Sequence, residues 1–181
     1  MQSDLVRRAQ HGDEEAFAAL VPDVTSRLLG VAYRILRDPD AAEDATQQAL
    51  LIAWRKLPTL REPERFDAWL YRLLVNACYA EVGRRRVQLT PLRLLNDDAA
   101  VVDSTRQSVE RDRLERGFTR LSVAHRTIVV LRLSVGMSFE EIATTVDIPV
   151  GTARSRLHYA LRTLRTAIEA DDMSPATKGT A

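Results

Sequence analysis

The chain has 181 residues, 45% of them apolar, with 26 basic and 25 acidic side chains and a formal net charge of +1. That length suits one ordinary domain or two small ones, and the apolar share is enough for a packed core. No run of eighteen apolar residues exists and MQSDLVRR has no apolar stretch behind its charges, so neither a membrane span nor a secretory leader is readable; a cytoplasmic chain without direct membrane insertion is expected.

Every long segment reads at helical period, and no repeat or strand pattern is visible. Apolar residues at Leu5, Val6 and Ala9, then Phe17, Leu20 and Val21, and after Pro22 at Leu28, Leu29, Ala32, Ile35 and Leu36 predict two amphipathic helices. Asp38-Pro39-Asp40 ends one helix and starts the next, with Asp40 as N-cap and Glu43 completing a capping box. Ala42, Ala45, Ala49, Ala53, Trp54 and Leu57 form the inward face of that helix, and Pro58 stops it. After a loop from Thr59 to Pro63, a fourth helix turns Phe66, Trp69, Leu70, Leu73, Leu74 and Ala77 inward and runs out at Gly83 and Arg84, Arg85 and Arg86. Its Cys78 is the only cysteine, which excludes an internal disulfide and reads as a small buried residue.

From about Val87 to Ser108 the period weakens, and Leu94 to Asp103 holds three aspartates and no basic residue, the pattern of a linker. Helical patterns resume at about Val109 to Arg120, Ala124 to Ser134, Phe139 to Val146 and Val150 to Ile168, and residues 170–181 read as a disordered tail. The expected fold is all-α: two small helical domains, 1–86 and 109–169, joined by a flexible linker over 87–108.

The most informative stretch is SVGMSFEEIATTVDIPVGTARSRLHYALRTLR. Ser138 can cap a short helix with Phe139, Ile142, Ala143 and Val146 on one face; a turn from Asp147 to Val150 follows. The next helix buries Val150, Ala153, Leu157, Leu161, Leu164 and Ile168, and it carries Arg154, Arg156, Arg162 and Arg165 with no acid between Pro149 and Ile168. This is a helix-turn-helix pattern whose basic second helix suits the major groove of DNA. Thr152, Arg154, Ser155, Arg156, His158 and Tyr159 lie off the apolar seam near its N-terminal end, where base edges and phosphates are in reach. Of the 26 basic residues only Lys56 and Lys178 are lysine, so 24 are arginine, the side chain better shaped for forked contacts to phosphate and guanine.

With its Gly-x-Ser, Glu-Ile-Ala and Gly-Thr-x-x-Ser-Arg-Leu elements, this stretch resembles region 4 of the sigma-70 superfamily, which implies contact with the −35 promoter element. DPDAAEDATQQALLIAWRKL resembles sigma region 2, in which such a helix binds the clamp helices of the polymerase largest subunit. Asp40, Glu43, Asp44, Gln47 and Gln48 are the residues that the resemblance puts on that surface, and their spacing gathers polar groups on one side of a helix. RFDAWLYRLLVNACYAEVGRRR resembles regions 2.3 and 2.4, which melt and read the −10 element. Capture of an unstacked base needs aromatic or polar groups to receive it. Phe66, Asn76 and Tyr79 are the candidates for that part, with Arg61, Arg65, Arg84, Arg85 and Arg86 for phosphate. The two-region layout looks like the compact extracytoplasmic-function group.

The resemblance implies core RNA polymerase and promoter DNA as partners, together with an anti-sigma factor. A free-standing helix-turn-helix regulator that acts without polymerase is the alternative. His11, His125 and His158 are scattered and no Gly-rich phosphate loop exists, so neither catalytic residues nor a metal or other cofactor is expected.

Overall fold

The computed structural model describes residues 2–89 and 115–172. The expected linker, beyond its first three positions, and the tail from residue 173 lie outside them. Among the described residues the secondary structure is helical, with no strand.

Gly12, in the left-handed region at φ +88°, and Asp13, whose carboxylate accepts the Ala16 N–H at 2.9 Å, separate α1 (Gln2–Gln10) from α2 (Glu14–Leu36). The sequence placed this break at Pro22, but α2 runs through that residue. A proline inside a helix costs about 3 kcal/mol, whereas burying one Val, Leu or Ile side chain contributes roughly 1.5–3 kcal/mol. Leu20, Val24, Leu28, Val31 and Ile35 are all buried along this helix, so one continuous face outweighs the lost hydrogen bond.

α3 (Pro39–Lys56) is capped by Asp38, not Asp40: the Asp38 carboxylate accepts the Ala41 N–H at 2.9 Å. Pro39 has no N–H to satisfy and a preset φ, so it occupies the first helical position. Asp40 therefore falls inside the first turn, and the expected box with Glu43 does not form. Ala41, Ala42, Ala45, Ala49 and Ala53 are buried, and these short side chains let α3 lie close against α2 and α4.

Two short 3-10 turns, Leu57–Thr59 and Pro63–Arg65, lead into α4 (Phe66–Leu89). This helix does not end at Gly83. Arg84 and Arg85 reach back to Glu81 at i−3 and i−4, and these pairs carry the helix through the glycine.

Residues 109–114 of the expected second domain lie outside the described residues; the part described opens on α5 (115–119), where a Cβ on Gly117 would stand 3.0 Å from Leu164 Cδ2. Ser122 caps α6 (Val123–Val129), which widens into a π turn, Val130–Val135, closed by Gly136 at φ +86°. α7 (Phe139–Val146) begins with a full capping box: Glu141 N–H donates to Ser138 Oγ at 3.1 Å, and Ser138 N–H donates to Glu141 Oε2 at 2.7 Å. Asp147, in the left-handed region at φ +56°, ends α7 and opens the turn into α8 (Val150–Asp172). The seam of α8 differs from the expected one. Ala153, Ala160, Leu164 and Ala167 are buried, while Leu161 is 42% exposed and Ile168 half-buried. Ala153 and Leu164 thus keep their expected places, while Ala160 and Ala167 replace Leu161 and Ile168 on the buried side, small side chains that allow the close approach of α5 and α6.

The two units share a core. Ile35, Leu74 and Val75 of the first belong to one continuous apolar cluster with Ile128, Val130, Leu131 and Ile142 of the second. α7 packs on α4, and α6 with its π turn packs on α2. Arg126, only 9% exposed, is the polar link: its Nε donates to the Ile35 carbonyl at 2.7 Å, and its Nη1 donates to Leu121 O at 3.1 Å and Phe118 O at 3.4 Å. Ile35 O belongs to the last turn of α2, where carbonyls lack helical partners. Burial holds the Arg126 guanidinium below its ordinary pKa, and the neighbouring Arg37 charge acts in the same direction. Arg37 in turn pairs with Glu115 across the same boundary.

Candidate functional site

Three surfaces hold the residues singled out in the sequence. On α3, Asp40, Glu43, Asp44, Gln47 and Gln48 are all exposed, opposite the buried alanines. Trp54 is not on the inward face: it is 38% exposed and stacks at an angle on Phe17, with ring centroids 4.6 Å apart. Leu51, 53% exposed, continues the polar face as an apolar rim. Its position three and four residues after Gln48 and Gln47 places it on that face, and the same spacing in the sequence could have identified it.

The second surface joins the loop before α4 to α4 itself. Arg61 and Arg65 are exposed, and Arg65 Nε pairs with Glu62 Oε2 at 2.7 Å. Phe66 is 3% exposed and packs in the core beside Trp69, so it cannot itself receive a base; it supports the loop from beneath. Asn76 is exposed. Tyr79 is half-buried beside Thr127 and Arg156 of the second unit, and burial pushes its pKa up. A groove of about 1010 Å³ runs between this loop and α7, with Arg61, Arg65 and Arg72 on one wall and Glu140 and Glu141 on the other.

Arg84 and Arg85 are tied to acids. Glu81, 5% exposed, accepts from Arg84 and from Arg85 Nε at 2.8 Å. Arg84 also reaches Asp44 Oδ2 at 3.3 Å, and Arg85 reaches Asp38. Asp44 and Asp38 lie 40 and 47 residues away in the chain, so the sequence offered no sign of these two. Arg86 is exposed at the same end.

The third surface is the N-terminal half of α8. Arg154, Ser155, His158 and Tyr159 are exposed, while Thr152 and Arg156 are half-buried. The guanidiniums of Arg132 and Arg154 both lie over the Phe139 ring, at 5.3 and 5.4 Å, and Arg154 Nη2 is 3.5 Å from Glu140 Oε1. The side chain is thereby held by cation–π attraction and an ion pair from the first helix of the motif. Tyr159 lies against His125, with ring centroids 4.8 Å apart. Burial, and after it the charge of Arg156, keep His125 below its ordinary pKa of 6.5. Among the described residues no cluster of His, Cys, Asp and Glu could hold a metal ion, and no helix is long and apolar enough to cross a membrane.

Two family models match the chain: Sigma-70 region 2 over residues 20–87 and Sigma-70, region 4 over residues 117–166. The RNA polymerase sigma-H factor of Pseudomonas aeruginosa is 33% identical over 91% of this chain and 92% of its own length. The ECF RNA polymerase sigma factor SigW of Bacillus subtilis is 25% identical over 88% and 92%. Among solved structures, the fold is similar to that of the sigma factor RpoE in complex with the anti-sigma factor NepR from Bartonella quintana, with TM-score 0.72, 24% identity and coverage of 86% of this chain and 98% of that one. It is also similar to CnrH in complex with the cytosolic domain of CnrY, with TM-score 0.66, 25% identity and coverage of 94% and 98%. The two motif-bearing units are thus sigma regions 2 and 4, and the chain belongs to the sigma-70 family as an extracytoplasmic-function sigma factor.

Proposed function

We propose that the chain acts in the cytoplasm by binding, without catalysis of its own, through three surfaces. Asp40, Glu43, Asp44, Gln47 and Gln48 dock on core RNA polymerase. The loop and α4 take the −10 element: Asn76 and Tyr79 receive an unstacked base, and Arg61, Arg65, Arg84, Arg85 and Arg86 meet phosphate. Phe66 supports the loop from the core. Thr152, Arg154, Ser155, Arg156, His158 and Tyr159 read the −35 element. The observation that carries this reading is the acid-free start of α8, set directly after the capped turn with Arg154 held over Phe139. Such a helix end presents side chains to base edges and backbone N–H groups to phosphate.

The packed arrangement sets a condition on this function. Elements 25 base pairs apart are separated by about 85 Å at ~3.4 Å per pair, whereas a chain of this size packed as one body has a radius of gyration of roughly 16 Å. Tyr79 is also covered by the second unit. Reading a promoter therefore requires the two units to separate, and core polymerase supplies the energy by binding the open form better. An anti-sigma partner would favour the inactive form in the same way, by binding it better.

The test is binding selection from a promoter library by core enzyme plus this chain, repeated with Arg154→Ala and Arg156→Ala. Loss of −35 discrimination with retained core binding is expected. Unchanged discrimination would place the −35 reader elsewhere, and promoter binding without any association with core would make the chain a free-standing regulator.

A further inference from the structure

The ion-pair cluster where α3 meets the end of α4 joins two of these surfaces. Arg84 Nη2 serves two acceptors at once: Asp44 on the docking face, with both side chains more than half exposed, and Glu81, whose side chain is 6% exposed. Arg85 is shared in the same way between Glu81 and Asp38, and Asp38 also caps α3. The buried Glu81 is the fixed member. It holds both guanidiniums at the end of α4 whether or not α3 contributes a partner. The exposed Asp44 contact is the weak one, because solvated surface pairs contribute little.

We infer that Glu81 and Arg84 are positioning residues that couple core docking to DNA contact by making polymerase and Arg84 compete for the Asp44 carboxylate: a basic or polar partner that takes Asp44 releases Arg84 from α3, and Glu81 keeps it aimed for phosphate. The inference rests on the proposed roles of Asp44 in docking and Arg84 in DNA contact. In the free chain Arg84 and Arg85 are largely neutralised by Asp38, Asp44 and Glu81, so this end of α4 attracts duplex poorly. With polymerase bound, Asp44 faces its partner and Arg84 has N–H groups to spare. Coupling of this kind is reciprocal, so phosphate that takes Arg84 frees Asp44 for docking, whereas without DNA Arg84 holds Asp44 and opposes docking.

The test is fluorescence titration of labelled full-length chain with purified core RNA polymerase at near-physiological salt, for the parent, Asp44→Asn, Arg84→Ala and the double variant. Arg84→Ala should tighten core binding about two- to fivefold, the scale of one exposed ion pair. Asp44→Asn should weaken it, and Arg84→Ala should add nothing in the Asp44→Asn background. Arg84→Gln, which keeps a long polar side chain without the charge, should reproduce the tightening. A merely structural role for Arg84 would weaken binding. If Asp44→Asn weakens binding while Arg84→Ala leaves it unchanged or weaker, the competition is refuted and the docking role of Asp44 stands. Tightening that persists in the double variant would reduce the effect to net charge and also refute the competition. If Asp44→Asn has no effect, the docking role of Asp44 falls and the competition falls with it.

Discussion

Replacing Arg126 by Met keeps most of the side-chain volume and removes the buried hydrogen-bonded link between the two units, leaving the Arg37–Glu115 pair in place. The parent guanidinium makes two well-formed bonds, at 2.7 Å to Ile35 O and 3.1 Å to Leu121 O, and a longer one at 3.4 Å to Phe118 O. Hydrogen bonds from a charged donor contribute about 1.5–3 kcal/mol each, and Met avoids part of the cost of burying the charge. A net loss of about 2–4 kcal/mol follows for the packed chain. Of these three bonds only the one to Ile35 spans the units, so its loss should raise the opening constant by about 10- to 100-fold. Single-molecule energy transfer between dyes on Arg55→Cys and Thr166→Cys, both exposed sites, reads the open fraction directly. The native Cys78 will not interfere, because it is fully buried and its thiol is pushed up to about 12. The parent should populate one compact state and Arg126→Met a second, extended one. If the variant stays as compact and as stable to denaturant as the parent, Arg126 does not hold the units together.

Other outcomes follow from the same packing. Ser138→Ala removes one side of the α7 capping box and should cost about 0.5–2 kcal/mol in denaturant titration. Leu28→Ala opens a cavity at a residue 1% exposed and should cost about 2–5 kcal/mol. His125 has a folded pKa below 6.5, so as the pH falls below that value the unfolded chain takes up the proton first; stability is full above 6.5 and lost on acidification. His125→Phe, which keeps a ring against Tyr159, should flatten this part of the pH dependence of urea midpoints. In promoter binding by core enzyme plus the chain, loss of one phosphate contact in Arg61→Ala should reduce the log–log salt slope by about 0.9; an unchanged slope would mean that Arg61 touches no phosphate.

The helix-turn-helix was legible in the sequence because its signals are local. A cap, a four-residue apolar face, a turn and an acid-free helix lie within one stretch, and the structure keeps each of them. The exposed face of α3 was legible for the same reason. Where a local rule had a competitor, the sequence misled. Pro22 looked like a break until the buried face of α2 outweighed it, and Asp40 looked like the cap although Pro39 favours the first helical position. Helical period narrowed the seam of α8 but did not separate Leu161 from Ala160, because that choice depends on how closely α6 approaches. Long-range pairs were not legible at all. Arg84 and Arg85 read as free phosphate ligands until the fold brought Asp44 and Asp38 to them, and neither the Arg126 link to Ile35 nor the cover over Tyr79 leaves a trace in local pattern.

Run-off transcription with purified core RNA polymerase and the full-length chain, free of any inhibitor, tests most directly whether one polypeptide carries both the docking face and the promoter readers. The expected result is initiation at a defined start site that core alone does not use, weakened by Asp44→Asn through core binding and by Arg154→Ala through promoter choice. A folded chain that gives core no specific start site, or one whose start site is indifferent to both changes, would contradict the assignment of these surfaces.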